Sequence, residues 1–190
     1  MHLLAGVLEA HNRERFEIYA FSYTLRKNDE LRERISLGVD HFMEVNDLSS
    51  KEIAKLIQSK NIDISIDLSG YTRKSRSEIF QYRMSPIQIN YLGYPSTMGA
   101  NFIDYIIADP VTIPDRYRNF YSEKIIYMPH TYQPNDDKRK IAMTRSKRVD
   151  FNLPEKGFVF CCFNQIYKIS PKEFNIWMRL LKNVNNSVLW

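Results

Sequence analysis

The sequence predicts an α/β protein built on parallel strands, and three observations carry that prediction. Helix and strand signals alternate from Leu3 to Leu68, the pattern of a parallel sheet dressed with helices on both faces. Two strand signals, residues 62–68 and 87–92, each empty into a glycine-containing loop, the first of them carrying Arg73, Lys74 and Arg76. A strand-to-helix junction recurs near the C-terminal end, after a polar and basic stretch. In an open α/β sheet the crevice beyond the carboxyl ends of the strands binds ligands. The loops are therefore the candidate site, and the cations suggest an anionic ligand.

Each element has its own local reason. Leu3, Leu4, Val7 and Leu8 lie at helical spacing, so residues 3–11 read as an amphipathic helix. Residues 16–23 (FEIYAFSY) are rich in aromatics and read as a buried strand. Residues 29–37 are charged, with Leu31, Ile35 and Leu37 among them, and read as a surface helix; residues 41–45 read as a short strand. Ser49 and Glu52 have capping-box spacing ahead of the apolar stripe Ile53, Leu56 and Ile57. Ile62, Ile64, Ile66 and Leu68 then alternate with polar residues, where a buried parallel strand would be continuously apolar. Asp63, Ser65 and Asp67 thus either line a cleft or put this strand near a sheet edge.

After Ser69-Gly70 the chain turns helical around residues 78–82, and strands follow at 87–92, 102–108 and 124–128. Pro110, Pro114, Pro129 and Pro134 punctuate the loops. Residues 133–152 are polar and basic and read as a boundary. Beyond it, FVFCCF at 158–163 is a continuous apolar strand, 164–169 a loop, and Ser170-Pro171-Lys172-Glu173 a helix start with cap, N1 proline and capping box. Phe174, Trp177, Leu180 and Leu181 give that helix an apolar face, and 187–190 begins another strand. One such β-α-β piece cannot bury its own core. The expected division is a Rossmann-like half at 1–135, a basic linker at 136–152 and the start of a second half at 153–190.

Composition narrows the class. With 44% hydrophobic and 13% aromatic residues in 190, a packed core is expected. No apolar run approaches the ~18 residues of a membrane span, and no signal peptide is read at the N-terminus, so the expected localisation is cytoplasmic with no membrane partner. The net charge of +5 concentrates at Lys138, Arg139, Lys140, Arg145, Lys147 and Arg148. No aromatic is interleaved there to stack a base, so the stretch reads as solvated and nucleic acid is not an expected partner. Cys161 and Cys162 are adjacent and without other partners, and read as small buried hydrophobes. His2, His11, His41 and His130 lack ligand spacing, so no metal site is expected. Asp104, Asp109, Asp136 and Asp137 read as turn and strand-end residues.

The sharpest chemical signal is Asn164-Gln165-Ile166-Tyr167-Lys168, between a strand end and a capped helix start. A helix N-terminus offers free N–H groups and a partial positive charge, and Lys168 adds a full one. Together they suit a diphosphate, with Gln165 able to bond it or a base. A solvated Lys168 and a Gln165 that merely closes the turn is the alternative, because no GxGxxG or GxxxxGK loop is present.

At this point long blocks of the sequence carry a resemblance. GYTRKSRSEIF at 70–80, PIQINYLGYPSTMGANFIDYIIAD at 86–109, YSEKIIYMPHTYQPND at 121–136 and FVFCCFNQIYKISPKEFNIWMRLLKNVNNSVLW at 158–190 resemble the catalytic region of SPINDLY-type O-linked N-acetylglucosamine transferases. VLEAHNRERFEIYAFSY at 7–23 is similar too. The resemblance implies a GT-B-like α/β fold, with one nearly complete Rossmann-like domain and the first β-α-β piece of a second. It implies inverting transfer of N-acetylglucosamine from UDP-GlcNAc to Ser or Thr hydroxyls, with no cofactor and no metal. By the same resemblance Gln165 and Lys168 hold the UDP, Tyr167 lies beside the sugar, and Leu92, Gly93 and Pro95 form part of the sugar pocket.

Measured against that family, the sequence is expected to be truncated at both ends. The general base is then expected upstream of Met1, and no catalytic residue is assigned within the chain. The expected partners are a nucleotide sugar, an acceptor protein, and the remainder of the second half or another chain covering it. The expected function is a fragment of that enzyme, inactive alone. Beside it stand a non-catalytic gene remnant or partner-docking module, and the same fold using GDP-fucose or UDP-glucose.

Overall fold

The computed structural model describes residues 2–24, 29–141 and 143–190, which fall into two compact units, Met1–Arg139 and Lys140–Trp190. The first unit runs α1 (Ala5–Glu9), β1 (Tyr19–Ser22), α2 (Glu30–Leu37), β2 (His41–Glu44), α3 (Ser50–Ser59), β3 (Ile64–Asp67), β4 (Ile87–Tyr91), β5 (Tyr105–Ala108) and β6 (Lys124–Tyr127). Every strand pair is parallel. β1 and β2 form one sheet, and β3-β4-β5-β6 form a second in simple sequential order.

The helices start where their caps dictate. The Asp29 side chain accepts from the Arg32 amide at the head of α2, and Ser49 with Glu52 forms a full capping box on α3. Ile53, Ala54 and Ile57 of α3 are buried with Ile79, Phe80, Met84, Met98, Ala100 and Ile103. The stretch read as helical near 78–82 is a 3₁₀ turn, Ser77–Tyr82. A second 3₁₀ turn, Asp115–Phe120, was not anticipated from the sequence.

Sequential parallel order has a consequence for burial. Crossovers are right-handed, so every connection in the four-stranded sheet falls on one face. That face carries Ser65, Asp67, Gln88, Asn90, Ile106 and Ala108, all buried. Ile64 and Ile66, on the opposite face, are 47% and 46% exposed, and Ile87 beside them and Ile126 on the far strand β6 are exposed as well. The alternation read in residues 62–68 is thus real but inverted over 64–67: Ser65 and Asp67 point inward, where Asp67 bonds the turn that follows, while Asp63 is exposed. Strand β3 is an edge strand, as one of the two readings of its polar residues required. On the face of Ile64 and Ile66, Ile89 is buried and the Tyr91 hydroxyl donates to the Tyr132 carbonyl at 2.7 Å, so the face is covered toward the middle of the sheet and open along its β3 edge.

An ion-pair cluster joins α1 and α2 to the segment after β6. Arg34 on α2 bridges Glu9, 2.7 Å from Nε, and Asp136, 2.6 Å from Nη1; Lys138 reaches Glu9 at 2.7 Å. The Arg34 and Lys138 contacts hold the Glu9 carboxyl down from 4.5 to about 2.

The second unit contains β7 (Phe158–Phe160), α4 (Pro171–Asn183) and β8 (Ser187–Leu189), with 3₁₀ turns at Arg148–Phe151 and Ile166–Lys168. Part of the stretch read as a solvated linker is therefore ordered. Asp150 accepts from the Lys147 amide at 2.7 Å, and Arg148 donates to the carbonyls of Pro154 and Gly157 at 3.2 and 2.9 Å. The apolar strand is shorter than read, and Cys161 is exposed rather than buried, while Cys162 is half-buried. The reason is that a two-stranded sheet with one helix has too few layers to enclose it. No residue of α4 is buried. Among the described residues no helix is long and apolar enough to cross a membrane.

Candidate functional site

The turn after β4 is strained and tightly held. Leu92 has φ of +72°, and the Gly93 amide donates to the Tyr91 carbonyl at 2.9 Å, a γ-turn of the rare positive-φ kind. A Cβ on Gly93 would lie 2.2 Å from the Leu68 carbonyl oxygen, so glycine is required for β3's exit to pass so close. Leu92 is half-buried, while Gly93 and Pro95 are exposed. The structure thus brings together the three residues assigned to the first-domain pocket on one solvent-facing turn.

Side chains that the sequence reading did not single out anchor this turn. The Asn90 Nδ2 donates to the carbonyls of Tyr94 at 2.9 Å and Ser96 at 3.3 Å. The Tyr121 hydroxyl donates to the Pro95 carbonyl at 3.2 Å. Buried Glu123 accepts from the Thr97 hydroxyl at 2.7 Å and from the Met98 amide at 2.6 Å. The only available signal was polar Gln88 and Asn90 inside an otherwise apolar strand, since the bonds themselves span up to 26 residues.

The neighbouring turn after β3 is held in the same way. Buried Asp67 accepts from the amides of Ser69 and Gly70 at 2.9 and 3.0 Å and from the Ser77 hydroxyl at 2.6 Å. Asp67 and Asn90 are register partners, so the two anchors stand side by side. Gly70 has φ of +53° and packs against Tyr94, whose ring meets Tyr71 edge-on at 5.7 Å. Of the three cations read into this loop, Arg76 is engaged with the Ser50 hydroxyl and Glu78, whereas Arg73 and Lys74 are exposed.

Asp104 and Asp109 occupy the strand-end roles expected of them. Asp104 accepts from the Gln88 amide and pairs with Arg83. Asp109 accepts from the amides of Thr112, Tyr132 and Val111, and these bonds hold its carboxyl below the usual carboxylate range. Among the described residues no three His, Cys, Asp or Glu side chains gather as around a metal ion.

In the second unit, Gln165 precedes the single 3₁₀ turn Ile166–Lys168, closed by the Lys168 amide donating to the Gln165 carbonyl at 2.9 Å. Gln165, Tyr167 and Lys168 are all exposed, and Ser170 follows directly as the N-cap of α4. The Glu173 carboxylate accepts from both the hydroxyl and the amide of Ser170, and the hydroxyl contact leads in lowering its pKa. The helix start thus carries an anion of its own, and Lys168 supplies the full positive charge on the adjoining turn.

Comparison with known proteins adds the lineage. The family model described as Glycosyl transferase family 41 matches residues 1–150 and 133–190. A probable UDP-N-acetylglucosamine–peptide N-acetylglucosaminyltransferase SEC of Arabidopsis thaliana is 43% identical over the whole chain, which spans 20% of that protein. A SPINDLY protein of Eustoma exaltatum subsp. russellianum, with the same probable activity in its name, is 29% identical over 99% of the chain and 21% of its own length. The chain therefore spans about a fifth of these relatives. A mutant O-GlcNAc transferase of Thermobaculum terrenum superposes with a TM-score of 0.84 at 27% identity, covering 98% of this chain and 34% of that one. The parallel α/β architecture is that of the GT-B O-GlcNAc transferases, and the resemblance carried by the LGYP and FNQIYK blocks is upheld over the full length. The chain belongs to glycosyl transferase family 41.

Proposed function

We propose that this chain supplies donor-binding walls of a protein O-glycosyltransferase that moves N-acetylglucosamine from UDP-GlcNAc, with inversion, onto Ser or Thr hydroxyls. The observation that carries the reading is the exposed Lys168 on the turn that leads directly into the capped start of α4. The acceptor oxygen attacks the anomeric carbon, the bond to the β-phosphate oxygen breaks, and UDP leaves with added negative charge. A fixed ammonium helps most where that charge develops. Lys168 holds the diphosphate, Gln165 the nucleotide, Tyr167 lies beside the sugar, and Leu92, Gly93 and Pro95 wall the sugar from the first half. Transfer needs no metal in this reading.

The proton of the acceptor hydroxyl needs a base, and none is assigned among these residues, so the purified chain is expected not to turn over. The reading divides the sequence into a Rossmann-like half at 1–135, a linker at 136–152 and the beginning of the donor half at 153–190. Exposed Phe158, Phe174 and Leu180 support a further polypeptide, from this protein or another, covering the second unit. The exposed Cys161 thiol suits a reducing compartment such as the cytoplasm.

Titrating UDP against the chain by calorimetry tests the assignment. Weak binding that falls at least about tenfold in Lys168→Ala is expected, in line with loss of a charge-assisted contact. Equal affinity in the two proteins removes Lys168 from the site. Competition by GDP-fucose or UDP-glucose as strong as by UDP-GlcNAc changes the donor, and sugar transfer by the chain alone overturns its predicted inactivity.

A further inference from the structure

We propose that Asn90, assisted by Tyr121, is a positioning residue for the sugar of the donor: it touches no substrate but sets the Leu92–Ser96 wall in place. The inference rests on the glycosyl-transfer reading above. Asn90 is wholly buried at the end of β4, and its Nδ2 donates to the backbone carbonyls on either side of Pro95. Proline has no N–H of its own to tether the apex, so the apex is gripped through the carbonyls of residues 94 and 96, while Tyr121 takes the carbonyl of residue 95.

A filler role does not account for this arrangement. Gln88, two residues earlier on the same face, satisfies its whole amide, accepting from the Met84 amide and donating to the carbonyls of Phe80 and Phe102. The Asn90 Oδ1 is the one buried side-chain oxygen or nitrogen without a partner among the described residues. Leaving a buried acceptor unpaired is costly. The Asn90 amide instead spends both its donors on one turn. With Glu123 holding Thr97 and Met98, the run from residue 94 to 98 is bonded at every position, behind the exposed Gly93 and Pro95. Such a wall is pre-set for a rigid pyranose. A shift of about 1 Å in a positioning element can cost up to about 100-fold in rate.

The test uses the protein at its natural full length, with Asn90→Asp, Asn90→Ala and Tyr121→Phe. Asn90→Asp keeps the shape but turns donors into acceptors facing two carbonyls, beside the Asp67 carboxylate. Tyr121→Phe removes one hydroxyl at a half-buried ring and leaves the core untouched. The expected result is a KM for UDP-GlcNAc raised about tenfold or more in the Asn90 variants and a few-fold in Tyr121→Phe, with inhibition by UDP unchanged. UDP lacks the sugar, so a purely structural loss weakens both ligands together, and that outcome overturns the proposal. Should the Asn90 variants fail to fold, Tyr121→Phe decides alone: an unaltered KM for the donor overturns it. If the wild-type protein binds UDP but not UDP-GlcNAc, the parent reading falls and this proposal with it. Normal donor binding in the wild type and in every variant removes only the role of Asn90 and Tyr121.

Discussion

Helices α3 and α4 begin alike and end in different surroundings. Both open with a serine cap answered by a glutamate three residues on, Ser49 with Glu52 and Ser170 with Glu173. Both carry an apolar stripe. In α3 that stripe is enclosed, with Ile53 only 1% exposed; in α4, Phe174 and Leu180 are 46% and 41% exposed. The first unit has two sheets, the 3₁₀ turn Ser77–Tyr82 and the loop residues Met98, Ala100 and Ile103 to share its burial. The second has two strands and one helix. Local start signals make a helix, but only a second layer makes a core.

Core truncation gives the widest separation of the two units. Ile53→Ala is expected to cost about 3 kcal/mol in urea unfolding, since a buried isoleucine leaves a cavity. Leu180→Ala is expected to cost less, about 1 kcal/mol, because the half-exposed side chain gains only part of its transfer energy and leaves no enclosed cavity. Equal losses break the comparison and mean that α4 is covered in solution.

Next come the glycines at which each unit lets two backbone segments meet. Gly93→Ala would press a methyl onto the Leu68 carbonyl oxygen at 2.2 Å, and Gly157→Ala onto the Asn186 carbonyl oxygen at 2.0 Å with φ of +118°. Each is expected to cost about 1–3 kcal/mol, of the order of other strained backbone sites, read from thermal melts. A neutral Gly157→Ala would mean that the second unit is loose enough to absorb the clash, which sharpens the contrast.

Caps are expected to behave alike in both units. Ser49→Ala and Ser170→Ala each lose about 1 kcal/mol of helix stability, measured by amide exchange over α3 and α4. A larger loss at Ser170 is the result that would set the units apart, since α4 has less tertiary packing to support it.

Acid sensitivity is the smallest effect. Glu9 sits at about 2 in the folded chain against 4.5 when free. Its folded value lies below the unfolded one, so its contribution is complete above pH 4.5 and is lost as pH falls toward about 2. Far-ultraviolet dichroism across that window is expected to show the first unit weakening, and Glu9→Gln to remove that part of the slope while lowering stability at neutral pH. Glu173 is lowered as well, chiefly by the Ser170 hydroxyl, so the second unit has an acid response of its own to compare.

The legible parts of this protein are those written in residues three or four apart. The capping boxes, the stripe of α3, the proline-punctuated loops and the alternation of helix and strand all follow from neighbours along the chain. So does the gathering of Leu92, Gly93 and Pro95 on one turn, and of Gln165, Tyr167 and Lys168 on another. The family blocks, too, are contiguous runs. Less legible were the short 3₁₀ turns at Asp115–Phe120 and Arg148–Phe151, whose few polar residues look like loop.

What tertiary structure alone decided is which side of each strand is the inside. Alternation in residues 62–68 has a period of two, and a period carries no sign. The sign came from the connections: sequential strands with a constant crossover hand put all loops on one face, and those loops needed Asp67, Gln88 and Asn90 for their amides and carbonyls more than they needed isoleucine. For the same reason Asn90, Tyr121 and Glu123 emerged as anchors only in three dimensions, where residues far apart in sequence close on one exposed turn.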